Sequence, residues 1–274
     1  MDGFILALVA VGFTVIYNAT RVLNFANGEF MMGGAYVAWF TWVKHGWPFP
    51  LALLAGVGAG IALGIVTDRV FVGPVRHATL FTQVTVLYAL ASILDGSYQL
   101  VFGASQQTVP AYAPDRGFVP GFRWSWLDIT IMGASAILII GLVLFLYRTR
   151  WGVQIRAVAD NPTGAGLVGI NPNSVALIAW IAGGTITALG GILIIPLLYL
   201  NVSVGSQLTF LAFAAVVLGG FGSLTGALVG GLIIGIAQVE VASLWTAGLE
   251  PLVSLVLMLL VLTFWPRVLF GSRA

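Results

Sequence analysis

Long apolar runs separated by short polar breaks set the pattern of this chain. The runs fall at about 3–20, 29–43, 50–68, 79–102, 126–147, 174–199, 208–220, 224–243 and 251–266. A straight helical crossing of a bilayer needs roughly 20 residues, and several runs are shorter. The 29–43 and 208–220 runs are candidate half-helices or re-entrant pieces, tolerable where protein covers their ends. The pattern predicts an all-α, polytopic transmembrane helical bundle of about eight to nine membrane segments, including short or broken helices. Residues 1–274 read as one transmembrane domain, and the first run reads as a span that stays rather than a cleaved leader.

Composition sharpens the picture. The chain is 59% hydrophobic and 7% charged, with a mean hydropathy of +1.05, against roughly 25% charged residues in a soluble domain. Its 35 glycines suit close helix packing in lipid. Rows of small residues recur at four-residue spacing, Ala52–Gly56–Gly60–Gly64 and Ala227–Gly231–Gly235. They predict close backbone approach, within the subunit or between subunits. The net charge of +2 indicates no nucleic-acid partner.

The placement of the basic residues orients the chain. With the 148–171 loop in the cytoplasm and nine crossings, Arg21, Arg69, Arg76, Arg148, Arg150, Arg156, Arg267 and Arg273 lie inside. Lys44, Arg116 and Arg123 lie outside. The C-terminus is then cytoplasmic. The longest outer stretch, 103–125, is rich in proline and aromatics and is expected on the outer surface.

Catalytic chemistry finds little support. The single lysine, Lys44, is followed by His45, so no GxxxxGK[ST] phosphate loop exists. His45 and His77 open no HExxH motif, and no serine sits in GxSxG. The absence of cysteine excludes thiolate nucleophiles and thiolate metal sites. No catalytic residue, metal site or bound cofactor is expected.

Polar residues inside apolar runs mark function by default, because ionisable groups in lipid are costly. Thr85, Tyr88, Ser92, Asp95 and Gln99 recur at spacings of three and four and share one helical face. Such a stripe either lines a pathway or hydrogen-bonds to a neighbouring helix. Asn24, Asn27 and Glu29 sit in "RVLNFANGEF", where Gly28 can break two apolar segments. A broken helix near the midplane exposes groups that bind small polar solutes; alternatively this is a loop with Asn27 as helix cap. Glu240 reads as an outer-end carboxylate or a pathway residue. The run "LGGFGSLTGALVGG" reads as a tight break or a turn between two spans.

The least apolar long stretch, "RTRWGVQIRAVADNPTGAGLVGI" over 148–170, ends in a short helix outside the lipid. Asn161 can cap it, Pro162 fits its first turn and Gly169 can close it in a left-handed conformation. About seven residues make roughly 10 Å of helix, too short to cross. Gly164 and Gly166 each disfavour it by about 1 kcal/mol relative to alanine. It therefore needs a surface to lie on, and Ala165, Leu167 and Val168 offer an apolar face to a groove. That surface is its own subunit, lipid headgroups or a partner.

Three motifs, "NFANGEF" at 24–30, "RTRWGVQIRAVADNPTGAGLVGI" at 148–170 and "VVLGGFGSLTGALVGG" at 216–231, occur in an order that resembles the permease subunits of branched-chain amino acid ABC importers. The resemblance covers nearly the whole chain. It implies a bacterial inner-membrane permease subunit that moves a small solute, most often a hydrophobic amino acid, into the cytoplasm by alternating access. It implies a second homologous permease, two ATP-binding subunits holding ATP and magnesium, and an external or periplasmic solute-binding protein as partners. It further implies that the 148–171 loop docks on the ATPase through a short helix resembling the family's "EAA…G" element. The matching positions are Thr163, Gly164, Ala165 and Gly169, so the glutamate and first alanine of that element are replaced. The rival class is a self-sufficient secondary transporter or channel for a small polar solute such as urea or an amide.

Overall fold

The computed structural model describes residues 2–113, 125–197, 200–201, 203–244 and 250–264. Among them the chain is helical: α1 (Asp2–Thr20), α2 (Asn27–Trp39), α3 (Phe49–Val66), α4 (Gly73–Val75), α5 (Leu80–Phe102), α6 (Trp126–Arg148), α7 (Arg150–Asp160), α8 (Pro162–Leu167), α9 (Pro172–Ile194), α10 (Ser203–Gly219), α11 (Leu224–Leu244) and α12 (Glu250–Phe264). Six helical stretches are long and apolar enough to cross a membrane, and α10 and α12 contribute shorter apolar helices. With α2 they make the eight to nine segments the apolar pattern predicts. Arg116, Arg123, Arg267 and Arg273 lie outside the described residues.

The bundle is built around α1. Ile5, Leu8, Phe13 and Ile16 on it are fully buried, as expected of a helix apolar on every side. Helices α9, α10 and α11 pack against it. The small-residue rows explain how closely. A Cβ on Gly60 would lie 2.8 Å from the Gly184 carbonyl, and one on Gly64 would lie 2.5 Å from the Trp180 carbonyl. Gly231 likewise meets the backbone of Ala7 at 2.5 Å. Both rows therefore serve packing within the subunit, where lipid supplies no hydrophobic drive and close van der Waals contact replaces it. By contrast α6 buries one face only, through Leu127, Ile131, Ser135, Ile139, Leu142 and Leu146, and sits at the edge.

The first break is deeper than a loop. Arg21 ends α1 at φ 58°, and its amide donates to the Tyr17 carbonyl at 2.7 Å. The chain then turns back into the bundle without forming a helix until Asn27. The Asn27 Nδ2 donates to the carbonyl of Val9 at 3.3 Å, and Val9 lies about 16 Å up α1 from Thr20 at 1.5 Å per residue. Half of a bilayer's hydrocarbon core is about 15 Å. Residues 21–26 therefore carry the chain from one end of the bundle to its middle, and α2 is a half-helix starting there. Asn27 is not its cap: Ala26 holds that position without a side-chain bond, and Asn27 turns inward instead.

Two π-helical stretches, Phe40–Lys44 and Thr67–Val72, extend α2 and α3. At the second, Arg76 bridges Asp68 at 2.6 Å and donates to Asn173. Arg21 reaches the Ala159 carbonyl at 2.6 Å. Arg21 and Arg76 thus gather at the end that carries α7 and α8, while Lys44 stands at the other end of α2. At the Lys44 end, the Tyr112 hydroxyl donates to the Leu193 carbonyl at 2.8 Å, and Gln107 pairs with Leu200 through two 3.0 Å backbone bonds. The glycine run after α10 is a turn, with Gly220 and Gly222 at φ 89° and 87°. Glu240 is exposed near the end of α11.

Candidate functional site

Two places in the fold carry the chemistry singled out in the sequence. The first is the elbow and short helix at the basic end. Thr149 closes α6 and opens α7: its amide bonds to Phe145 at 3.2 Å, and its hydroxyl accepts from Gly152 at 3.1 Å. A Cβ at Gly152 would lie 2.3 Å from the Leu146 carbonyl, so the turn admits glycine alone. Helix α7 was not expected as a separate element; Ile155 and Val158 on one face are buried against the bundle, whereas Trp151 and Val153 are exposed.

Asn161 then joins α7 to α8, its Oδ1 accepting from the Gly164 amide at 2.9 Å. Pro162 and Thr163 form the exposed first turn. Gly169 adopts φ 84°, and the bonds Gly169 N to Gly166 O and Ile170 N to Ala165 O, 3.1 and 3.0 Å, close a Schellman end. The expected apolar face is divided. Ala165 is 5% exposed and belongs to the subunit's own core. Leu167 and Val168 are 85% and 76% exposed. The short helix thus rests on its own subunit through Ala165 and presents two bare aliphatic side chains outward.

The second place lies where α2, α5 and α10 meet, near the middle of the bundle. A cavity of about 140 Å³ there is lined by Glu29, Asp95, Ser92, Tyr88, Ser206 and Thr209, with Phe25, Ala91 and Phe210 completing the wall. It joins residues from "NFANGEF" to three of the polar stripe. Glu29 is fully buried; its carboxyl faces that of Asp95, and neither oxygen meets a backbone, amide or basic donor. One oxygen of Asp95 is in the same state. Among the described residues no lysine, arginine or histidine lines this cavity.

The surrounding backbone is built to admit Glu29. A Cβ on Gly205 would lie 2.7 Å from Glu29 Oε2, so the space the carboxylate occupies exists because residue 205 lacks a side chain. Gly28 and Gly205 bring α2 and α10 into backbone contact, a Cβ on Gly28 falling 1.7 Å from the Gly205 carbonyl. Thr209 Oγ1 ties them, accepting from the Gly28 amide at 2.7 Å and donating to the Gly205 carbonyl at 3.1 Å. From α5 the Tyr98 hydroxyl donates to the Glu29 carbonyl at 2.9 Å.

The remaining sequence candidates sit elsewhere. Asn24 and Asn27 are buried and engaged inside the break: Asn24 Oδ1 accepts from Ala26 at 3.1 Å, and Asn27 Oδ1 accepts from Thr187 at 3.3 Å. Thr85 and Gln99 extend the stripe beyond the cavity on the exposed side of α5. Thr85 bonds back to the Phe81 carbonyl at 2.8 Å. Gly205, Ser206, Thr209 and Tyr98 escaped sequence reasoning because they come from separate segments and obey no local spacing.

Residues 1–262 match the family described as "Branched-chain amino acid transport system / permease component". The high-affinity branched-chain amino acid transport system permease protein BraD of Pseudomonas aeruginosa is 29% identical, over 98% of this chain and 92% of its own length. The corresponding protein LivH of Escherichia coli K12 is 30% identical over the same shares. A probable branched-chain amino acid transport permease protein LivH of Methanocaldococcus jannaschii is 30% identical over 85% of this chain and 76% of its own. With the apolar bundle and the three ordered motifs, these matches establish that the chain belongs to the family of branched-chain amino acid transport system permease components.

Proposed function

We propose that this chain is the membrane-spanning permease subunit of an ATP-binding-cassette importer that carries a branched-chain amino acid into the cytoplasm across the bacterial inner membrane. The observation that carries the reading is the exposed polar stripe of α5, which leads through Asp95 to a fully buried Glu29. Polar side chains at this depth must face protein or water. A second, homologous permease subunit across that face would cover the stripe and leave a polar path between them.

ATP and magnesium belong to two partner ATPase subunits rather than to this chain. Leu167 and Val168, bare at the end that gathers Arg21 and Arg76, are the contact we assign to the ATPase. Movement of the ATPase pair is passed through α8 to α9 and α7, and switches the path between the two faces. An external solute-binding protein delivers the substrate to the Lys44 end, and the C-terminus is cytoplasmic. Substrate choice is shared with that binding protein.

Reconstitution into proteoliposomes tests the reading. Uptake of labelled leucine is expected only with the ATPase subunits, the binding protein and ATP present. Uptake by the permease chains alone would replace the proposal with a secondary transporter or channel.

A further inference from the structure

We infer that the Glu29 cavity is a subsite for a cationic headgroup, the ammonium of an amino acid in transit, with the aliphatic side chain lodged in an adjoining apolar cleft. This rests on the permease reading above and adds the orientation of the substrate to it. Three observations converge. The carboxyl of Glu29 is fully buried and aims into the cavity, where it faces the carboxyl of Asp95 and meets no backbone, amide or basic donor. Two facing carboxyls that share one proton still carry one negative charge between them, and a buried charge without a counter-charge is costly; the partner still missing is a cation or the dipoles of water.

Second, Asp95 adds another carboxylate to the wall, and its basic counterpart is absent from the described lining. An anion is repelled from such a site and a cation favoured, a preference that low-dielectric walls strengthen. Third, the cavity is small and its neighbour is not. The polar space of about 140 Å³ shares Phe25 and Phe210 with a cleft of about 580 Å³, to which Leu211, Phe213, Leu255 and Met258 also contribute. A compact ammonium fits the first and a branched aliphatic chain the second. A bare inorganic cation would use the carboxylates and leave the cleft without a role.

The absence of cysteine from the chain permits a direct test. Ser92→Cys places one thiol in the cavity wall of the assembled complex. Its modification by 2-aminoethyl and 2-sulfonatoethyl methanethiosulfonate is followed by intact mass of this chain, with rates normalised to a free thiol. The cationic reagent is expected to react faster by roughly tenfold or more. The preference should vanish when Glu29→Gln and Asp95→Asn are added, with the melting temperature as a check on folding. Leucinamide should slow labelling, whereas 4-methylpentanoate, with the same side chain and no ammonium, should not.

Equal rates for the two reagents, or a preference surviving loss of both carboxylates, would overturn the proposal. Protection by sodium chloride as strong as that by leucinamide would assign the site to inorganic cations and overturn the substrate ammonium. ATP-driven leucine uptake is scored separately in the complex without substitutions. Uptake without charge preference removes the subsite alone, whereas failed uptake removes the permease reading whatever the labelling shows.

Discussion

The short helix at the basic end and the cavity at mid-depth are built by opposite means. Helix α8 is assembled from neighbours in sequence: Asn161 caps it, Pro162 starts it, and Gly169 with Ile170 ends it, all within ten positions. The cavity draws Glu29 from a half-helix, Asp95 from a long span, and Gly205 and Thr209 from a segment nearly two hundred residues away. In the first, polar groups are satisfied and apolar ones are exposed. In the second, the backbone is satisfied and the two carboxyls face each other with no basic group among the described lining. A region meant to be gripped can be made locally, whereas a region meant to hold a charged solute in hydrocarbon needs walls from several helices.

The strongest break in this comparison is steric. Gly28→Val would drive side-chain atoms into the Gly205 carbonyl, since even a Cβ there falls at 1.7 Å. Overpacking of well-packed interiors costs about 1–3 kcal/mol and occasionally more, and rigid backbone on the other side sets this case at the upper end. Little folded protein should survive detergent extraction, as judged by size-exclusion chromatography; a normal yield and melting temperature would refute the contact.

Glu29→Gln removes charge without volume. Leucine uptake should fall by about tenfold or more, equivalent to at least about 1.4 kcal/mol, while the melting temperature holds because the amide keeps the volume and can still donate to Asp95. A fall in melting temperature with unchanged uptake would make Glu29 a structural group.

At the other region, Leu167→Asp with Val168→Asp should leave the fold intact, because both side chains are exposed. ATP hydrolysis should then proceed without matching uptake, measured in the same vesicles; normal coupling would count against the docking role. Smaller effects follow from the helix itself. Asn161→Ala removes a cap and should destabilise α8 by about 1 kcal/mol. Gly166→Ala meets nothing within 4 Å and should stabilise it by up to about 1 kcal/mol. Hydrogen exchange of the Ala165–Ile170 amides should move in opposite directions for the two.

Much of the bundle was legible because hydrocarbon imposes its own length rule. Runs of apolar residues located α1, α3, α5, α6, α9 and α11 within a few positions, and the caps of α8 followed from Asn161, Pro162 and Gly169. The limits were those of local information. Periodicity placed Asp95 and Ser92 on one face but was silent about Glu29 standing opposite them. Asn27 resembled a cap because asparagine commonly caps helices; contact with Val9 and Thr187 turned it inward. Ala165 read as part of an open apolar face, yet the bundle itself covers it. Helix α7 was missed because its apolar residues are interrupted by Arg150, Gln154, Arg156 and Asp160, so the segment reads as a polar break between spans.

Cross-linking from α8 tests the central claim most directly. In the assembled complex, a photo-crosslinker attached through Leu167→Cys should join this chain to an ATP-hydrolysing subunit, and one attached through Lys44→Cys should not. A bare Leu167 that captures only lipid or water, or an ATPase captured from position 44 instead, would contradict the account.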